Sequence, residues 1–85
     1  MAATTRATLT SSWSAISENA TEVLVQLIEG TEVEVVVASS APTSQRGHVI
    51  GIGRSDSVSF SNIESTDDVY ARILIGSTAV VAVTK

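Results

Sequence analysis

Cysteine is absent from this chain of 85 residues. No disulfide can form, and no thiolate metal site can exist. Proline occurs once, at Pro42. Aromatic residues make up 4% of the chain: Trp13, Phe60 and Tyr70. The core must therefore be built from Val, Ile, Leu and Ala. Charged residues reach 16%, below the roughly 25% usual in globular domains. Basic residues are the scarcer kind, five Lys and Arg against nine Asp and Glu, for a net charge of −4. That balance lacks the basic footprint of nucleic-acid binding. No stretch approaches the roughly 20 apolar residues of a membrane helix. MAATTRATLTSS has no apolar core region of the kind a secretory signal needs, so no membrane partner and synthesis in a cytoplasm are expected.

What is present is alternation. The strongest stretch runs from Thr21 to Ala38, TEVLVQLIEGTEVEVVVA. Val23, Val25 and Leu27 alternate with Leu24, Gln26 and Ile28; Val33, Val35 and Val37 alternate with Glu32, Glu34 and Val36. Period-2 alternation puts each set on its own strand face. Gly30 supplies a tight connection. The stretch reads as a β-hairpin with one apolar face and one partly wet face carrying Gln26, Glu32 and Glu34. A second hairpin is expected over Gly76-Ser77, joining VYARILIG (Val69 to Gly76) to TAVVAVT (Thr78 to Thr84). It is apolar on nearly both faces. Shorter strands are expected at Ser12 to Ile16, His48 to Gly53 and Val58 to Ser61. Turns or loops separate them at Ser17-Glu18-Asn19-Ala20, Ser39 to Gly47, Arg54 to Ser57, and Glu64 to Asp68.

The sum is an all-β fold: a small antiparallel β-sandwich or barrel of about seven short strands with no significant helix. Val25, Val35, Phe60, Ile73 and Val81 form its centre, and Trp13 closes one end. Residues 1–12 are an N-terminal arm or edge strand, and 13–85 form a single β domain.

The chemistry-bearing residues are sparse. His48 stands alone, and no serine sits in a nucleophile-elbow sequence. Gly51-Ile52-Gly53 has no third glycine, following helix or lysine, so it is not a phosphate loop. Both glycines instead fit a bend or a close backbone approach. Glu64, Asp67 and Asp68 lack the ligand spacing of a calcium loop. Glu32 and Glu34 lie about 7 Å apart on one strand face, as any Glu-x-Glu on a strand would. The expectation is a protein that is not an enzyme, with no catalytic residue, no cofactor and no metal. The apolar excess on both hairpins makes Tyr70, Arg72, Leu74 and Val80 candidates for an interface. Thr4, Arg6 and Thr8 join them, if the segment from Ala2 to Thr10 lies across a neighbour.

The order of features also resembles a known group. Trp13-x-x-Ile16 is followed by Val23-Leu24-Val25-Gln26, Val33-x-Val35, Ala41-Pro42-Thr43, Gly47-His48-Val49-Ile50, Val69-Tyr70-Ala71-Arg72 and a closing Val80-Val81-Ala82-Val83-Thr84. Spanning nearly the whole chain from Trp13, this resembles the small all-β virion structural proteins of tailed bacteriophages. The resemblance implies a virion location, with a capsid decoration or cement role stabilising the head. A tail, fibre or connector-associated role is the alternative, and a ligand- or glycan-binding β module is the alternative of another class. It implies as partners the major capsid protein or another virion protein, and further copies of the same chain. Analogy with decoration proteins at capsid three-fold positions suggests a trimer.

Overall fold

A computed structural model of the chain describes residues 3–42, 47–51 and 55–85. Eight strands alternate with short connections: β1 (Thr4–Leu9), β2 (Ser14–Ser17), β3 (Val23–Glu29), β4 (Glu32–Ala38), β5 (His48–Gly51), β6 (Ser57–Phe60), β7 (Asp68–Ile75) and β8 (Ala79–Thr84). They form two four-stranded sheets, ordered β1-β8-β3-β6 and β2-β7-β4-β5. Every pairing is antiparallel. The fold is the expected sandwich rather than a closed barrel, and the described residues contain no helix.

Alternation places the side chains as expected. Val23 and Val25 of β3, Val33 and Val35 of β4, Val69, Ala71 and Ile73 of β7, and Ala79, Val81 and Val83 of β8 meet between the sheets. Val58 and Phe60 of β6 pack against them, partly buried. β-Branched side chains suit this arrangement because they pack well on a pleated surface.

Strand pairing departs from expectation. β3 and β4 do not form a hairpin: β3 lies in the first sheet and β4 in the second. The same holds for β7 and β8. Each connection carries the chain from one sheet to the other, with Gly30 at φ 118° and Gly76 at φ 110° in the connections. Parity explains the second case. A two-residue hairpin over Gly76-Ser77 would put Val81 and Val83 on the face opposite Val69, Ala71 and Ile73. Crossing between sheets turns both sets toward one core. Of the sequence-adjacent strands, only β4 and β5 are hydrogen-bonded neighbours.

One further expectation is corrected. Trp13 precedes β2 and does not close the core; it lies outside the core cluster. Of the two forms expected for residues 1–12, arm or edge strand, the described part takes the second: β1 is an edge strand that pairs along its length with β8 of its own chain. Gly51 does mark a close approach, since a Cβ there would collide with the Thr31 carbonyl oxygen and with Glu32. Gly53, Arg54 and the part of the β4–β5 loop at 43–46 lie outside the described residues.

Candidate functional site

The seven candidate interface residues divide between opposite faces of the sandwich. β1 pairs with β8 as Thr4↔Thr84, Arg6↔Ala82 and Thr8↔Val80. β8 pairs with β3 as Thr84↔Leu24 and Ala82↔Gln26. Because residues opposite one another share a face, Thr4, Arg6, Thr8 and Val80 sit together on the outer face of the first sheet. Thr4, Arg6 and Thr8 are exposed and Val80 is half-buried. The hydroxyls of Thr4 and Thr84 hydrogen-bond at 2.8 Å. This face is small, hydroxyl-rich and nearly uncharged.

Tyr70, Arg72 and Leu74 lie on β7, on the outer face of the second sheet, and all three are half-buried. The β4–β7 register sets Glu34 opposite Arg72 and Val36 opposite Tyr70. Glu34 is fully buried, although it points away from the core between the sheets. Arg72 donates to Glu34 Oε1 from Nε at 2.9 Å and from Nη2 at 2.7 Å. The backbone N–H of Gly47 donates to Glu34 Oε2 at 3.1 Å. Above this, the Arg72 guanidinium lies 4.7 Å from the centroid of the Trp13 ring, the geometry of a cation–π contact.

Local chain paths make this cluster. Thr10 accepts from the backbone N–H of Ile73 at 2.7 Å, which ties the β1–β2 connection to β7. Trp13 then follows close to Arg72. On the other side Gly47 ends the β4–β5 loop against β4; a Cβ at Gly47 would meet the Val35 carbonyl oxygen at 2.7 Å. The expected partly wet face is therefore corrected at Glu34. A buried carboxylate is tolerable only when it is paired and hydrogen-bonded, and this one is. Arg72, taken from the sequence as an interface residue, is engaged within its own chain. Glu34 and Trp13 are the residues that sequence reasoning did not assign here. The signal would have been a Glu on β4 opposite an Arg on β7, which requires knowing that β4 pairs with β7.

The remaining features are modest. Nε1 of Trp13 and Oγ of Ser17 are buried with no hydrogen-bond partner among the described residues. His48 packs edge-on to Phe60, with ring centroids 5.5 Å apart. A recess of about 360 Å³ lies at the end of the first sheet, between β3, β6 and the end of β8, with Glu22 and Lys85 as its charged lining. None of the seven candidate residues lines it. Among the described residues, Ile28 and Ile75 are the large apolar side chains left exposed, at 43% and 52%. Among the described residues no group of three or more His, Asp or Glu is placed to hold a metal ion. No described helix is long and apolar enough to cross a membrane.

No family model, curated protein or solved structure matches this chain.

Proposed function

We propose that this chain is a bacteriophage virion structural protein, a capsid decoration or cement protein that stabilises the head as a homo-oligomer bound to the major capsid protein. The reading rests on the sequence resemblance and on one observation, the outer face of the first sheet. Thr4, Arg6, Thr8 and Val80 form, with Ala82, Thr84, Leu24 and Gln26, a surface with one charge and many short side chains. Such a surface can approach another protein closely, because little charge must be desolvated and few long side chains must be ordered. On the opposite face Arg72 and Trp13 are already engaged with Glu34. Low charge overall, with Ser and Thr in its place, fits a subunit that spends its life in contact with neighbours.

The test is location. Antibody labelling in electron micrographs of virions carrying the encoded protein should mark the head surface. Particles lacking the protein should release DNA at lower temperature. Label on the tail or fibres would transfer the role to the tail. Absence from purified virions, together with binding on a glycan array, would replace it with a ligand-binding role.

A further inference from the structure

The sandwich has four edge strands: β1 and β6 in the first sheet, β2 and β5 in the second. Exposed edges present unpaired backbone groups and are ordinarily blunted. Three of them are. β2 has four residues and a register irregularity between Ala15 and Ser17. β5 and β6 also have four residues each, and at the end of β5 the Gly51 N–H donates to the Ser55 carbonyl at 3.0 Å. β1 differs. It has six residues, TTRATL, in unbroken register with β8 and with no proline or glycine.

The hydrogen-bond parity of β1 is readable. Ala3 and Lys85 exchange both backbone bonds, at 2.9 and 3.1 Å. In an antiparallel ladder such pairs alternate, so Thr5, Ala7 and Leu9 direct their N–H and C=O groups to β8. Thr4, Arg6 and Thr8 direct theirs outward, and no described residue bonds to them.

We infer that β1 is a strand-addition edge, and that its occupant is β1 of a second copy of this chain, paired antiparallel about a two-fold axis through Ala7. In that register Arg6 and Thr8 exchange backbone bonds with Thr8 and Arg6 of the second copy, about four bonds in all. Core-side residues meet core-side residues: Ala7 faces Ala7, and Thr5, exposed in the single copy, faces Leu9. The neighbouring two-fold register, about Arg6, satisfies the same parity but sets Arg6 directly against Arg6, which like charges disfavour. The Ala7 axis puts each Arg6 against a threonine. The two first sheets would join into one of eight strands. This contact is independent of the virion reading, and its two-fold closure differs from the three-fold suggested by analogy.

The absence of cysteine makes the test direct. At a non-hydrogen-bonded antiparallel pair the Cα atoms are about 4.5 Å apart, within disulfide reach. Ala7→Cys should therefore form a covalent dimer about tenfold faster than Thr21→Cys at a chain concentration of about 0.1 mM, because pairing holds the thiols at an effective mM concentration. Light scattering should give a dimer for the wild-type chain. Thr8→Pro removes an outward N–H and no bond to β8, a placement edge strands tolerate; it should give a monomer with an unchanged circular dichroism spectrum. A wild-type chain that stays monomeric or forms a trimer would overturn the inference, as would a Thr8→Pro dimer. Arg6→Cys crosslinking faster than Ala7→Cys would overturn the Ala7 axis. If Thr8→Pro does not fold, the cysteine rates decide alone.

Discussion

On the outer face of the second sheet a carboxylate, Glu34, is fully buried beneath an arginine and a tryptophan. On the outer face of the first sheet Thr4, Arg6 and Thr8 stay exposed. Both faces are drawn by the same strand alternation, and each carries an arginine. Arg72 is fastened by two hydrogen bonds to a buried partner, whereas Arg6 stands exposed at an edge. The difference lies in what crosses each face. The β1–β2 connection and the end of the β4–β5 loop close over Glu34. The described chain lays no equivalent cover over Thr4, Arg6 and Thr8. On one face a charged pair is covered within the chain, and on the other Thr4, Arg6 and Thr8 stay exposed.

The largest effect should come from breaking the completed face. Arg72→Ala takes two hydrogen bonds and a charge partner from the buried Glu34 carboxylate, and is expected to destabilise the protein by about 3 kcal/mol in urea unfolding. The value sits at the low end for broken buried pairs because the Arg72 side chain keeps 30% of its exposure. A loss below about 1 kcal/mol would mean that the pair is no more than a surface ion pair. Glu34→Gln keeps the shape but removes the charge, and should cost about 1–2 kcal/mol.

Trp13→Leu removes the ring over the guanidinium while keeping an apolar cover. Its expected cost is about 1 kcal/mol, read as a lower urea midpoint at unchanged slope. No change would place the Trp13 contact outside the stabilising set.

The comparison sharpens if both partners are replaced together. Glu34→Leu with Arg72→Met should lie within about 1 kcal/mol of the wild type, because desolvation offsets most of the attraction in a buried pair. A double variant as unstable as Arg72→Ala would show that the ion pair specifies the β4–β7 register and not only its energy.

On the open face, Arg6→Ala should change stability by no more than about 0.5 kcal/mol. All of these should be compared at one fixed chain concentration, since self-association adds apparent stability. A loss at Arg6 as large as that at Arg72 would erase the contrast between the faces.

The strand positions and their inward sets were legible in the chain. Val23, Val25, Val33, Val35, Val81 and Val83 declared themselves by period 2, because a pleated strand sends successive side chains to opposite sides. The breaks at Gly30 and Gly76 were legible too. Which strands pair was not. A three-residue turn over Glu29-Gly30-Thr31 keeps Val25 and Val35 on a common face as a hairpin, and a crossing between sheets brings them into a common core equally well. Alternation is a property of one strand and does not carry the identity of its neighbour. Glu34 followed from this: its partner Arg72 lies 38 residues on, on a strand that only the tertiary fold brings alongside.

By itself, then, the sequence of this protein determined an all-β chain, its inward faces and an aliphatic core. These follow from side-chain spacing and composition, which act locally. The tertiary structure alone decided that consecutive long strands face one another across the core, that Trp13 leaves the core to cover Arg72, and that β1 ends as an unblunted edge. Each of these depends on which backbone hydrogen bonds are satisfied by distant segments, a matter that no local pattern contains.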